Sequence, residues 1–366
     1  MMHLAINGSD LGRQRGGNES FILGLLQGFG AAGLPVRLSV ITSPPGRQAL
    51  ADISYKGEVI DAGPYRRIAY HLWQQERLLR RLRPDWYFST YFLPLGLPCR
   101  GAVIVHDVSF RAHPEYFPRS ISSYMHLLTS QAIRQAQVVA FDSHYTASEV
   151  ARYYPAASAK GVVTYPGVDE RYFQCLSSDE IRTRLGAYGV GTGYLLAIGN
   201  IHPRKNLDLL LQAYRRLKLS WGEVPAMLWI GPKRWYADAL VQQAAESGVI
   251  MPGYVDQADL PAFYQAAKAF VYPSLYEGFG LPVLEAMASG VPVIASDTTS
   301  LPEAAGNAAL LIDPQDSADL ANAIFRVVQE PGLAEVMVAR GLAHARQFTY
   351  ARTAQTLYQA LLRAQG

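Results

Sequence analysis

The sequence predicts an α/β protein of two doubly wound parallel-sheet domains, and three observations carry that prediction. Short apolar runs alternate with amphipathic helical stretches along the chain. The alternation pauses over residues 174–192, which are polar and contain Gly and Ser, and restarts at Tyr194-Leu-Leu-Ala-Ile-Gly199. A chain of 366 residues is also too long for one typical core and suits two.

The first half opens on a strand, Met2 to Asn7, a Gly-rich loop, Gly8 to Glu19, and a helical pattern from about Ser20 to Ala32 that stops at Gly33. Gly16 and Gly17 at the helix start let backbone approach a phosphate or sugar closely. Val36 to Thr42 is the next strand, and Ser43-Pro-Pro-Gly46 reads as a loop. Tyr65 to Leu82 reads as an arginine-rich helix with apolar Ile68, Leu72, Leu78, Leu79 and Leu82. Its ordinary reading is a solvated charged face; the alternative is a patch that leans on anionic lipid or an acidic acceptor. Trp86 to Ser89 and Ala102 to Val105 are short strands. The second runs into His106 and Asp107, at the carboxyl end of a strand, where ligands of parallel sheets sit. Asp107 either orients the imidazole or caps the following turn. Arg111 to Pro118 is irregular and aromatic, an acceptor-side loop. Ser120 to Gln135 is helical, Val138 to Phe141 is a strand, and Asp142 to Glu149 offers helix caps, with Ser143 needed for no more than that. Val162 to Tyr165 is the last strand before the connection Pro166 to Phe173.

In the second half, Gly199 leads into Asn200-Ile-His-Pro-Arg204-Lys205-Asn206-Leu-Asp208 and an amphipathic helix to about Leu217. Asn206 suits the cap and Asp208 the first turn. Two adjacent cations at a helix's positive end are unfavourable until an anion arrives, which makes this a phosphate loop. Ala226 to Gly231 and Met251 to Asp256 are strand segments, and Asp259 to Ala267 is a helix. Ala269 to Tyr272 is a buried strand that feeds Pro273-Ser-Leu-Tyr-Glu-Gly-Phe-Gly-Leu-Pro-Val-Leu-Glu285. Gly278 and Gly280 break the chain there, Pro282 starts a helix, Val283 to Ser289, and Gly290 ends it. A helix N-terminus seats phosphate, while the flanking Glu277 and Glu285 suit hydroxyls, so the ligand implied is a nucleotide-sugar. Val291 to Ser296 is a further strand; helices follow at Leu301, at 318–329, 333–346 and 350–363.

Composition, 49% hydrophobic and 17% charged, is that of a soluble globular chain. No run of 18 apolar residues occurs, and the N-terminus has no signal-peptide pattern. Cys99 and Cys175 make no disulfide framework, so a cytoplasmic location is expected. No Cys/His cluster has zinc spacing. A net charge of only +3 does not suggest a nucleic-acid partner. The cationic excess lies in the first half, much of it in Arg66, Arg67, Arg77, Arg80, Arg81 and Arg83.

Glu277-Gly-Phe-Gly-Leu-Pro-Val-Leu-Glu285, Gly199-Asn-Ile-His-Pro-Arg-Lys-Asn206, Gly253-Tyr-Val255 and Ala286-Met-Ala-Ser-Gly-Val-Pro-Val293 resemble glycosyltransferase family 4. The first matches its paired-glutamate signature, the second its Arg-Lys phosphate loop and the third its base-binding turn. The N-terminal half matches through Gly16-Gly17 and Val105-His106-Asp107, and its wording looks most like bacterial mannosyltransferases of O-antigen and exopolysaccharide assembly. The resemblance implies the GT-B fold, two Rossmann-like domains facing a central cleft, and transfer of a hexosyl group with retention. Residues 1–172 would bind acceptor, 173–349 would bind donor, and a helix at about 350–366 would pack back on the first domain.

Residue by residue, the resemblance implies that Arg204 and Lys205 stabilise the departing diphosphate and that Glu277 binds donor-sugar hydroxyls. Backbone N–H groups of Phe279, Gly280 and Leu281 would hold the distal phosphate and sugar. Glu285 would bind the ribose, with Gly199 in the phosphate loop and Tyr254 and Val255 near the base. Gly16 and Gly17 would close on the diphosphate, and His106 would contact the sugar near the reacting carbon. Arg13, Arg15, Asn18, Asp107 and Arg111 are the candidates for the acceptor side. Many members carry Gly-Gly-x-x-x-His in the first loop; Gly16-Gly-Asn-Glu-Ser-Phe21 has no such histidine, and Asn18 or Glu19 would serve instead. No Asp-x-Asp occurs, which argues against a metal-dependent transferase of the other major fold and for a reaction with neither cofactor nor metal. GDP-mannose is the first-choice donor and UDP-glucose the second. The acceptor is a saccharide or lipid-linked oligosaccharide, with peripheral contact to the anionic inner membrane left open. A nucleotide-sugar 2-epimerase and a sugar-binding protein that has lost catalysis are the competing classes.

Overall fold

Two parallel sheets form around the apolar runs. The computed structural model describes residues 1–13, 17–51, 53–63, 74–232 and 238–366. The first sheet holds β1 (Met2–Asn7), β2 (Val36–Thr42), β3 (Gly57–Asp61), β4 (Trp86–Thr90), β5 (Arg100–Val105), β6 (Val138–Phe141) and β7 (Gly161–Val163), in the order β3-β2-β1-β4-β5-β6-β7. The second holds β8 (Tyr194–Ile198), β9 (Met227–Ile230), β10 (Ile250–Gly253), β11 (Ala267–Tyr272), β12 (Val293–Ser296) and β13 (Ala309–Ile312), in the order β10-β9-β8-β11-β12-β13. Each sheet grows outward from its first strand and then reverses, the doubly wound order of a Rossmann fold. The reversal falls between β1 and β4 in one sheet and between β8 and β11 in the other. Helices on both faces bury the central strands, which explains why these read as continuous apolar runs.

Contacts divide the chain into two units, Met1–Gly167 with Phe348–Gly366, and Val168–Gln347. The boundary expected at 172 falls at 167, since the turn Glu170–Phe173 packs within the second unit through Tyr172 on Tyr264. The Tyr350–Arg363 helix lies against the Gly17–Ala31 helix, burying Leu357 and Leu361 with Leu25, Leu26 and Phe29. Gly24 and Gly28 permit this approach: a Cβ on either would stand 2.1 Å from Tyr350 atoms. Thr353 also donates to the Tyr165 carbonyl at 2.6 Å, tying this helix to the end of the first sheet.

Several local expectations change. Ser43-Pro-Pro-Gly46 is no loop, because Pro44 begins a helix, Pro44–Ala51, at the end where a missing N–H costs nothing. β3 and β13 are edge strands, partly exposed and too mixed in composition to stand out as apolar runs. Arg111 to Pro118 contains regular turns, the end of the Ser109–Ala112 helix and a 3₁₀ turn, Pro114–Tyr116. Asn206 does not cap its helix through its side chain: it sits at φ 58°, and its amide donates to the Pro314 carbonyl at 2.8 Å. Of the arginine-rich helix, Gln75–Leu82 is present with Arg77, Arg80 and Arg81 exposed, followed by exposed Arg83. Tyr65 to Trp73, with Arg66, Arg67, Ile68 and Leu72, lies outside the described residues.

Candidate functional site

In the second unit, β8 and β11 flank the reversal of strand order, so the loops leaving their carboxyl ends meet where such sheets bind ligands. The β8 loop begins at Gly199, whose φ of 148° belongs to glycine. Its carbonyl accepts from Trp229 Nε1 at 2.9 Å and lies 2.1 Å from where a Cβ on Gly231 would stand. His202 accepts from the Arg204 N–H and opens the turn Pro203–Lys205. The β11 loop is pinned to this turn by the Leu275 N–H on the Arg204 carbonyl at 2.8 Å.

Glu277 then receives both cations. Arg204 Nη1 donates to Oε2 at 3.2 Å and to the Tyr276 carbonyl at 3.1 Å. Lys205 Nζ donates to Oε1 at 2.5 Å and to the Tyr272 hydroxyl at 2.5 Å, above whose ring it sits 4.5 Å from the centroid. Burial pushes the Glu277 carboxyl up, but Arg204 and Lys205 outweigh it and hold it at about 2. The cation pair expected to wait for an arriving anion already faces one supplied by the chain. Ser300 fixes the backbone beyond it, donating to the carbonyls of Glu277 and Phe279, each at 2.9 Å.

Gly280, at φ 109°, turns the chain into the Leu281–Ala288 helix with Pro282 in its first turn. A Cβ there would meet Leu301 Cδ2 at 2.7 Å. Phe279 is buried beneath the turn. Glu285 lies farther along this helix among phenols: Tyr264 donates to Oε2 at 2.9 Å, and the Tyr172 hydroxyl bonds it as well. Burial raises its carboxyl to about 7, against the two tyrosine hydrogen bonds that pull the other way. Beyond Gly253, at φ 84°, Tyr254 is exposed and Val255 is buried.

In the first unit, His106 follows β5 and Asp142 follows β6. Val105 and Phe141 are paired partners in the sheet, so the next residue of each strand falls side by side. His106 Nδ1 lies 2.7 Å from Asp142 Oδ2. Of the two roles open to Asp107, the structure has the cap: Oδ1 accepts from the Ser109 N–H at 2.9 Å and its hydroxyl at 2.6 Å. The carboxylate on the imidazole is therefore Asp142, which sequence reasoning passed over as part of a capping segment. The register of β5 on β6 is the signal that would have found it.

Gly17 is exposed, and among the described residues nothing lies within 4 Å of a Cβ placed on it. Asn18 reaches Asp10 Oδ2 at 3.4 Å, whereas Glu19 is buried and accepts from the Gly12 N–H at 2.6 Å. Glu19 thus holds the loop together. Arg13 is half-buried beside that loop, and Arg111 is exposed with its guanidinium 5.7 Å from the centre of the Tyr153 ring. Arg15 and Gly16 lie outside the described residues. Among the described residues no group of three His, Cys, Asp or Glu could hold a metal ion, and no helix is long and apolar enough to cross a membrane.

Residues 15–172 match the model of Glycosyltransferase Family 4, and residues 192–330 that of Glycosyl transferases group 1. The chain is 36% identical over 297 residues to O-antigen chain mannosyltransferase B of Escherichia coli, covering 77% of each. To the serotype-specific mannosyltransferase WbdA of Escherichia coli it is 27% identical over 278 residues, covering 73% of this chain and 34% of that longer one. Among solved structures, Anabaena HepE in complex with UDP-glucose superposes with a TM-score of 0.76 at 18% identity, covering 99% and 100% of the two chains, a likeness of fold. With two Rossmann-like parallel sheets and both halves matched, the chain belongs to glycosyltransferase family 4 and has the GT-B fold.

Proposed function

We propose that this glycosyltransferase moves mannose from GDP-mannose to a saccharide or lipid-linked saccharide during cell-surface polysaccharide synthesis, with retention and without a metal. The observation that carries the reading is the Arg204–Lys205–Glu277 cluster beside the Leu281–Ala288 helix start. Two fixed cations and a helix's positive end supply the charge that a departing diphosphate needs, which a divalent ion would otherwise bring. The choice of mannose rests on the names of the relatives, both mannosyltransferases and one an O-antigen chain enzyme.

Glu277 contacts hydroxyls of the sugar, Glu285 the ribose, and Tyr254 and Val255 lie by the base. Gly199, Gly17 and the N–H groups of Phe279, Gly280 and Leu281 approach the diphosphate, and His106 meets the sugar. Arg13, Asn18, Asp107 and Arg111 serve the acceptor side. In the step itself the bond from the anomeric carbon to the diphosphate oxygen breaks, and its electron pair stays on the phosphate. The acceptor oxygen bonds to the same face of that carbon, and its proton passes to the departing phosphate. Glu277, bound to two cations, is a contact and not a nucleophile. The enzyme acts in the cytoplasm, and exposed Arg77, Arg80, Arg81 and Arg83 suit a peripheral contact with anionic membrane.

A thermal-shift series with GDP-mannose and with UDP- and ADP-sugars, in EDTA, tests the donor. GDP-mannose at 100 times its Kd should stabilise the fold by about 2.7 kcal/mol. A response to UDP-glucose instead would replace GDP-mannose with the alternative donor. Azide rescue of Glu277→Ala to an inverted glycosyl azide would make Glu277 the nucleophile and end the contact role.

A further inference from the structure

We propose that Asp142 is a positioning residue for His106, holding Nδ1–H so that Nε2 is the ring atom offered to a donor-sugar hydroxyl. The inference rests on the reading that His106 meets the donor. A carboxylate oxygen accepts and does not donate, so the 2.7 Å contact puts the ring hydrogen on Nδ1. Nε2 is then the ring's remaining polar atom, and among the described residues it is buried with no hydrogen-bond partner. A buried polar nitrogen without a partner costs the fold about 1–3 kcal/mol, a cost that a ligand hydroxyl at that point removes.

The ring is also held on its apolar sides. Phe21 meets it edge-on with centroids 5.1 Å apart, and Tyr91 does the same at 5.7 Å. Tyr91 adopts φ 59°, a conformation that disfavours a bulky residue, and its hydroxyl accepts from the Asp107 N–H at 3.2 Å. A strained residue braced against the neighbour of His106 fixes the imidazole's plane while Asp142 fixes its rotation about that plane. Burial alone would lower the histidine's pKa. Asp142, then Asp107 beside it and Asp10 from the loop after β1, reverse that and raise it. A hydroxyl suits Nε2 in either state, donating to the neutral ring and accepting from the charged one.

The test uses ¹⁵N-histidine spectra of the full chain, with His106 assigned by its loss in H106A. Above the pH at which it titrates, wild-type His106 should be protonated at Nδ1 with Nε2 carrying the lone pair. In the isosteric variant D142N the tautomers should mix and the His106 titration should move to lower pH. Calorimetry with GDP-mannose and GDP gives the second readout: D142N should weaken GDP-mannose roughly tenfold, the worth of one hydrogen bond, and leave GDP within about twofold. In an H106A background D142N should add nothing. Wild-type His106 protonated at Nε2 alone, or a D142N effect that persists without His106, overturns the inference. H106A impaired with D142N unchanged overturns it too and leaves the reading of His106 standing. H106A binding GDP-mannose as tightly as wild type overturns that reading itself.

Discussion

Glu277 and Glu285 belong to one loop-and-helix segment, yet they face opposite conditions. Glu277 is met by Arg204 on one oxygen and Lys205 on the other, and its carboxyl is held at about 2. Glu285 is met by two neutral phenols, Tyr264 and Tyr172, and burial lifts it to about 7. Burial opposes ionisation at both sites; what differs is whether cations stand close enough to reverse it. One glutamate is a permanent anion, and the other is poised to change charge near neutral pH. Hydrogen bonds from hydroxyl groups alone do not undo the cost of burying a carboxylate, whereas two cations do.

The largest effect expected from breaking this contrast is at Glu277. Glu277→Gln leaves buried Lys205 without its counter-charge, which should cost about 3–5 kcal/mol in urea denaturation. It should also cost about 10²–10³ in donor turnover, read by release of nucleoside diphosphate. A variant with normal stability would mean that the ion cluster does not set the contrast.

Next comes the pH dependence of nucleotide binding. If ribose hydroxyls bind ionised Glu285, its charged fraction rises from about one-eleventh at pH 6 to ten-elevenths at pH 8, and GDP should bind about tenfold tighter at the higher pH. Glu285→Gln should flatten that profile, and calorimetry at both pH values decides it. Glu277, held at about 2, contributes nothing in this window.

The same carboxyl makes stability depend on pH. Because the folded value of Glu285 lies above its ordinary 4.5, the folded state keeps a proton that the unfolded chain loses. The stabilisation is full below about 4.5 and disappears as pH rises to about 7. Wild-type stability should therefore fall relative to Glu285→Gln by about 3 kcal/mol across that interval, read as a Tm drop of about 5–10 °C. The smallest change is Tyr264→Phe, which removes a hydrogen bond to the ionised form. It should move the binding midpoint up by less than about one pH unit and cost about 1 kcal/mol of stability.

Much of this was legible before the fold was known. Central strands such as Tyr194–Ile198 and Ala267–Tyr272 are buried on both faces and announce themselves as apolar runs. Gly280 and Pro282 mark a helix start that local chemistry alone explains. Edge strands β3 and β13 were not legible, because a half-exposed strand needs no apolar run. Nor was Asp142, whose meaning depends on β6 lying beside β5 and on Val105 pairing with Phe141. Asn206 misled for a related reason: its partner, Pro314, lies over a hundred residues away and outcompetes the local cap. Spacing revealed Arg204, Lys205 and Glu277 as residue types, but their ion pairing appears only when the loops after β8 and β11 come together.

The helix at Tyr350–Arg363 makes the order of synthesis and the order of completion run opposite ways. The first unit is begun first, but Leu357 and Leu361 leave the ribosome only after all of Val168–Gln347. Until then the groove at Gly24 and Gly28 lies open and the apolar face of Leu25 and Phe29 is uncovered. Most multidomain chains fold from the N-terminus as they emerge. Here the second unit can close while the first still waits for its last helix, so a nascent chain stalled before Tyr350 would present a finished C-terminal unit joined to an unfinished, aggregation-prone N-terminal one.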